Sequence, residues 1–140
     1  MNWSKFFVAF IAAFIFIFFF GFVWHGILMK PAYLEIASHF RAHDDMIWPS
    51  LIFGHVVMAF FLTMLYARHG GGSVGSGTCL GFLVGLVYAG SNFISYAVQP
   101  LTTKILCGWI AGDILMFAIA GALIGAIYKP SVSSGLSTPA

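Results

Sequence analysis

Charge is what this 140-residue sequence has least of: 7% of its residues are Asp, Glu, Lys or Arg, against 61% hydrophobic. Soluble domains carry roughly 25% charged residues, so the shortage excludes a surface made for water. Six Lys/Arg against four Asp/Glu leave a formal net charge of +2. No basic patch interleaved with aromatics emerges from so few, which excludes nucleic acid as a partner. Cysteine is nearly absent as well. Cys79 and Cys107 fall near the starts of the third and fourth apolar runs, at opposite membrane faces if those runs are antiparallel. A disulfide needs Cα atoms within about 7 Å, so none is expected between them. Catalytic motifs are missing too. Gly70-Gly71-Gly72-Ser73 lacks the lysine of a phosphate-cradling loop, and no Ser/His/Asp or Cys/His nucleophile arrangement can be argued, so the chain does not read as an enzyme.

What is present is four long apolar runs. About 20 residues suffice to cross a bilayer as a helix, and the spans are placed at about 6–29, 48–67, 78–98 and 106–128. The first is too long for a signal-peptide core of about 7–15 residues and ends in Gly-Ile-Leu-Met-Lys-Pro without a small-residue cleavage site, so it reads as an uncleaved helix. Nine phenylalanines between Phe6 and Phe22 make it apolar all round and direct it towards lipid. Pro31 is expected to stop it, with Lys30 snorkelling to the interface. Between Ala32 and Asp45 lies the one strongly polar stretch, with Glu35, His39, Arg41, His43, Asp44 and Asp45 spaced by Tyr33, Leu34, Ile36 and Phe40. That alternation predicts a short helix in the interface plane. A Gly/Ser turn over 70–77 separates the second and third spans, Gln99-Pro100 ends the third, and the tail over 131–140 is expected to be disordered.

These runs define an all-α integral membrane four-helix bundle, one transmembrane domain over residues 1–130, with the lipid bilayer as its first partner. Lys5, Arg68 and Lys129 on one side balance Lys30, Arg41 and Lys104 on the other. The positive-inside rule therefore ties, and Lys5 directly before the first span tips the N-terminus to the cytoplasm. The first and third spans align at an offset of 64, Gly21-Phe22-Val23-Trp24-His25-Gly26 over Gly85-Leu86-Val87-Tyr88-Ala89-Gly90. The second and fourth align at 58, with His55 over Asp113. The pattern predicts two duplicated helical hairpins, a parallel type of repeat.

Gly77, Gly81, Gly85 and Ala89 recur every four residues in the third span, and Gly112, Gly121 and Gly125 mark the fourth. Lipid supplies no hydrophobic drive between helices, so small residues that let backbones approach predict a tightly packed third and fourth helix. The same faces suit a homo-oligomer or a larger membrane complex.

Four polar side chains lie inside the spans. At 1.5 Å rise per residue, His25 sits about 6 Å from its helix end, His55 and Asp113 about 10 Å, and Asn92, beside Ser91, about 9 Å. All fall in the half of the membrane nearest the polar loop. Intramembrane ionisable groups turn inward to be paired or hydrated, so His25, His55, Asn92 and Asp113 form one candidate site. Two imidazoles and a carboxylate would suit a transition metal, and two imidazoles alone a haem, with Gly21-x-x-x-His25 leaving room beside the ring. The site would equally serve a proton relay, or simply hold helices together by hydrogen bonds. His39-x-x-x-His43 has helical spacing for shared metal binding but lacks the HExxH glutamate, and a solvated turn is the plainer reading. Two functions stand: a structural or accessory subunit of a membrane complex, and a metal-, haem- or proton-binding membrane carrier.

The Met1-Asn2-Trp3 start, a first helix ending in Trp24-His25-Gly26, a glycine-rich third helix and a Gly-Ala fourth resemble, taken together, small bacterial four-span families classed only as domains of unknown function. An aromatic commonly follows the Trp in those families, so His25 is a departure. The resemblance implies an inner-membrane location and a four-helix fold, and carries no catalytic residue across.

Overall fold

The computed structural model describes residues 1–69 and 72–128, and all of its regular structure there is helical. Four helices are long and apolar enough to cross a membrane: Trp3–Leu28, Trp48–His69, Val74–Val98 and Thr103–Ile127. The first is an α-helix, α1 (Trp3–Val23), that runs on as a π-helical turn over Trp24–Leu28. A short α2 (Lys30–Leu34) and two 3-10 turns at Ala37–His39 and His43–Asp45 lead into α3 (Trp48–His69), followed by α4 (Val74–Val98) and α5 (Thr103–Ile127). Gly70, Gly71, the Lys129-Pro130 stop and the tail lie outside the described residues.

Capping sets the helix starts further upstream than apolarity alone suggests. Ser73 accepts from the Ser76 amide at 3.1 Å while the Ser76 hydroxyl accepts from the Ser73 amide. This reciprocal cap satisfies two orphan donors at the helix mouth and begins α4 at Val74, inside what reads as a Gly/Ser turn. Thr102 caps the Ile105 amide and starts α5 at Thr103. Asn2 caps α1 through the Lys5 amide at 3.1 Å. Pro31 does not leave a loop behind it. It occupies the first turn of α2, where its missing N–H would be unsatisfied anyway. The interfacial segment is thus not one helix but a single α-turn and two 3-10 turns.

Helix α5 is the central element, packing against α1, α3 and α4. Its contact with α4 is the most intimate, because glycine meets glycine. A Cβ on Gly77 would run into the Gly121 carbonyl, and one on Gly121 into that of Gly77; Gly81 lies the same way against the Phe117 carbonyl. A Cβ on Gly85 would come to 2.7 Å of the Ile114 Cα. Gly112 belongs elsewhere: it faces the Trp24 indole of α1. Ala89 is buried at the far end of the α4 stripe.

The apolar core lies among α1, α3 and α5, where Phe6, Ala9, Ala13 and Ile17 meet Ala59, Leu62, Tyr66, Met116, Phe117, Ala120 and Ile124. Helix α1 therefore turns one face inward, with Ala9 and Ala13 as its small residues and Phe10, Phe14, Phe16 and Phe20 packed at its margins, while Phe7, Phe19 and Phe22 face outward with Val8, Ile11 and Ile15. Buried Thr63 satisfies itself on the Ala59 carbonyl at 2.7 Å. Outside, Val87 is 74% exposed, Phe53 67% and Phe19 63%. Wide faces of large apolar residues mark a surface meant for contact with something other than water, as expected of helices long and apolar enough to cross a membrane.

Candidate functional site

A second apolar cluster of Met29, Ala32, Leu101 and Ile105 lies under the first loop and holds the loop-side ends of α1 and α5 together. The π-helical turn does the local positioning. The Met29 amide bonds to the Trp24 carbonyl at 2.8 Å, the i→i+5 step that marks a π-turn and often accompanies functional sites. Trp24 swings over Gly112 and donates its indole N–H to the Gly108 carbonyl at 3.0 Å. Successive helical residues point about 100° apart, so His25 cannot share that direction.

His25 stacks on Tyr33 of α2, with ring centroids 6.1 Å apart and planes at 15°, and its Nδ1 lies 2.5 Å from the Tyr33 hydroxyl. The Trp109 indole N–H of α5 donates to the same hydroxyl at 2.7 Å. Burial holds the Tyr33 phenol above the ordinary tyrosine value; the Trp109 hydrogen bond works against this and the Asp113 charge adds to it. The hydroxyl therefore keeps its proton and, with His25 Nδ1 the one acceptor beside it among the described residues, donates a hydrogen bond to that nitrogen. In the neutral ring, His25 Nε2 is then the N–H bearing atom.

His55 of α3 is set the opposite way. Its Nδ1 is 2.7 Å from the Leu51 carbonyl, which can only accept, so Nδ1 carries the proton and Nε2 of the neutral ring keeps its lone pair. The ring packs edge-on against Phe18 at 5.5 Å and lies over Gly21, where a Cβ would come to 3.0 Å of Nε2. Gly21 thus makes room for the imidazole of the neighbouring helix and not for a group beside His25.

Both imidazoles line one cavity of about 950 Å³ between the end of α1, the first loop and the start of α3. Phe18, Phe22, Leu34, Phe40, Trp48 and Leu51 supply apolar wall, while Lys30, Arg41 and His43 lie towards the loop. Pockets that bury small ligands span about 300–1,000 Å³, mostly apolar with a few placed polar groups, and this one falls at the roomy end.

The other two intramembrane groups pair elsewhere. Asn92 Nδ2 of α4 donates to Asp113 Oδ2 of α5 at 2.7 Å, and neither residue lines the cavity. Ser91 is exposed on α4. The four polar side chains expected to share one site therefore form two: a histidine pair on a cavity, and an amide–carboxylate pair in a helix seam. Among the described residues no group of three His, Cys, Asp or Glu side chains converges as for a metal ion, so His25, His55 and Asp113 are not gathered into one ligand set. The reason is geometric. Trp24 covers the α5 surface next to Asp113, and His25 must turn away from it. The pair His39 and His43 is separated as well, since the two lie in different 3-10 turns and helical spacing has no helix to act through. His43 instead meets Trp48 edge-on at 6.0 Å. Cys79 and Cys107 are free and exposed.

Tyr33 and Trp109 are the residues that sequence reasoning passes over. Their bond joins positions 76 apart, beyond the reach of any local period, and a lone Tyr in an interfacial segment reads as an anchor. One available signal was the conjunction of Gly21 and His25 on one helix with His55 at a similar depth on another.

The chain matches, over residues 8–129, the family described as protein of unknown function (DUF1761), and it belongs to that family. No curated protein and no solved structure matches it.

Proposed function

We propose that this member of DUF1761 is an integral protein of the bacterial inner membrane, with its N-terminus in the cytoplasm, that binds a small membrane-soluble molecule in the cavity between α1, the first loop and α3. The observation that carries the reading is a pair of imidazoles lining one largely apolar cavity, their Nδ1 atoms engaged by the Tyr33 hydroxyl and the Leu51 carbonyl and neither Nε2 hydrogen-bonded among the described residues. A binding role needs no nucleophile or general acid, and the pairing instead suits recognition of a ligand with one donor and one acceptor. Four spans closed as a bundle, two of them a duplicate of the other two, are part of the same proposal. So is the assignment of the Asn92–Asp113 pair to holding α4 and α5 together, since the two partners satisfy one another.

The accessory-subunit reading rests on the small-residue faces. Support for it weakens where those glycines are used up inside the chain, as Gly77, Gly81 and Gly121 are between α4 and α5. Purified wild-type protein and His55→Ala, examined by optical spectroscopy, elemental analysis and mass spectrometry of an organic extract, test the proposal. One organic molecule per chain, diminished in His55→Ala, is expected. A Soret band or a stoichiometric transition metal overturns it in favour of a prosthetic-group carrier, and an empty extract overturns it in favour of a purely structural protein.

A further inference from the structure

The cavity has a chemical direction. Its deep end is His55, seven residues into α3 and so about 10 Å below the helix start at Trp48 at 1.5 Å per residue. Between there and the loop the walls are Phe18, Phe22, Trp48 and Leu51. Its loop end carries Lys30 and Arg41, and no carboxylate lines it anywhere. Neither cation has an ion-pair partner among the described residues, where the one salt bridge joins Lys104 to Glu35 at 2.9 Å. That bridge also draws off Glu35, the acid next in sequence to the lining residue Leu34. Asp44 and Asp45 lie outside the lining despite following His43. Two unneutralised cations above an apolar shaft form a site with a positive mouth and a greasy throat.

We propose that the occupant is an anionic lipid drawn from the surrounding leaflet, its phosphate or carboxylate held by Lys30 and Arg41, its ester and hydroxyl oxygens offered to the imidazoles and one acyl chain lying along Phe18, Phe22 and Leu51. This rests on the cavity being a binding site, as argued above, and adds the class of ligand. Basic groups beside membrane helices attract anionic headgroups at about 1 kcal/mol per cation, roughly fivefold each, so about twenty-five-fold for the pair. A free anion would answer to the two cations but has no use for the shaft. An amphiphile uses both, and its charged end stays at the depth where the loop meets the headgroups.

Full-length protein in detergent, titrated with phosphatidylglycerol or phosphatidylcholine and read by native mass spectrometry, tests the inference. Wild type is expected to retain one phosphatidylglycerol in clear preference to phosphatidylcholine. The variant Lys30→Gln/Arg41→Gln should lose that preference, and Lys104→Gln, which removes a cation outside the cavity, should keep it. Gly26→Leu, which fills the cavity from a position where a Cβ meets nothing closer than Phe22 at 3.7 Å, should abolish retention of either lipid. Equal retention of the two lipids by wild type, blocked by Gly26→Leu, overturns the anionic head while leaving the cavity reading intact. Retention unaffected by Gly26→Leu overturns both. Displacement of the lipid by millimolar inorganic phosphate overturns the lipid as source and points to a free anion.

Discussion

Two seams of this molecule are built from the same apolar material and behave as opposites. Between α4 and α5 glycines set backbone against backbone, with carbonyls lying where any side chain would have to go. Around the loop-side ends of α1 and α3 the wall is made by rings, His25, Tyr33, His55 and Phe18 among them, and about 950 Å³ stays open there. The difference teaches what small and large residues do in lipid. Glycines gain dispersion contacts by close approach and leave no space. Aromatic groups that must also satisfy N–H and O–H atoms cannot close so tightly, and their polar ends fix a cavity wall. One seam holds the chain together and the other is free to hold something else.

Substitutions should separate these roles. Gly81→Leu is expected to act most strongly, destabilising by about 3 kcal/mol, the upper part of the usual cost of overpacking. Gly90→Leu, on the open side of α4 where nothing lies within 4 Å, should leave thermal unfolding in micelles unchanged; equal effects would erase the distinction between a closed seam and an open face. Tyr33→Phe strands the half-buried Trp109 N–H and the exposed His25 Nδ1, and should cost about 1 kcal/mol, the net worth of an ordinary hydrogen bond. Red-shifted tryptophan emission in this variant, but not in Gly81→Leu, would place the loss on the aromatic side. Asn92→Ala removes the partner of Asp113 and should cost about 0.6–1.7 kcal/mol, the range for polar pairs between membrane helices, with no change in what the cavity retains. Lys104→Gln breaks an exposed ion pair and should shift the melt by less than about 1 kcal/mol.

How far the residues announce this architecture depends on the range of the signal. Long apolar runs carry their own meaning, so four helices able to cross a membrane follow from hydropathy and length. Spacing of four in Gly77-Gly81-Gly85 is equally local, because on a helix it places three missing side chains on one face. Depth is legible only in part: His25 and His55 lie near the loop-side ends of their helices, but the earlier start at Thr103 puts Asp113 about 15 Å along α5, near its middle and not about 10 Å in. What depth alone does not give is direction around each helix axis. That depends on how α1 sits on α5, fixed by Trp24 against Gly112 and Gly108, and on a π-turn for which residues 24–28 hold no distinctive pattern. The one polar layer therefore resolves into two separate pairs. Helix starts shift for a simpler reason, since Ser73 caps through a reciprocal pair of hydrogen bonds with Ser76 and Thr102 through its bond to the Ile105 amide, none of which apolar content registers.

The most direct test of the account is occupancy of the histidine-lined cavity, compared between two leucine substitutions by native mass spectrometry of protein extracted from membranes without added lipid. Gly26→Leu enters the cavity, whereas Gly90→Leu projects from α4 into open space. The account predicts a bound small molecule in wild type and Gly90→Leu and none in Gly26→Leu. The same mass retained by all three proteins would contradict it.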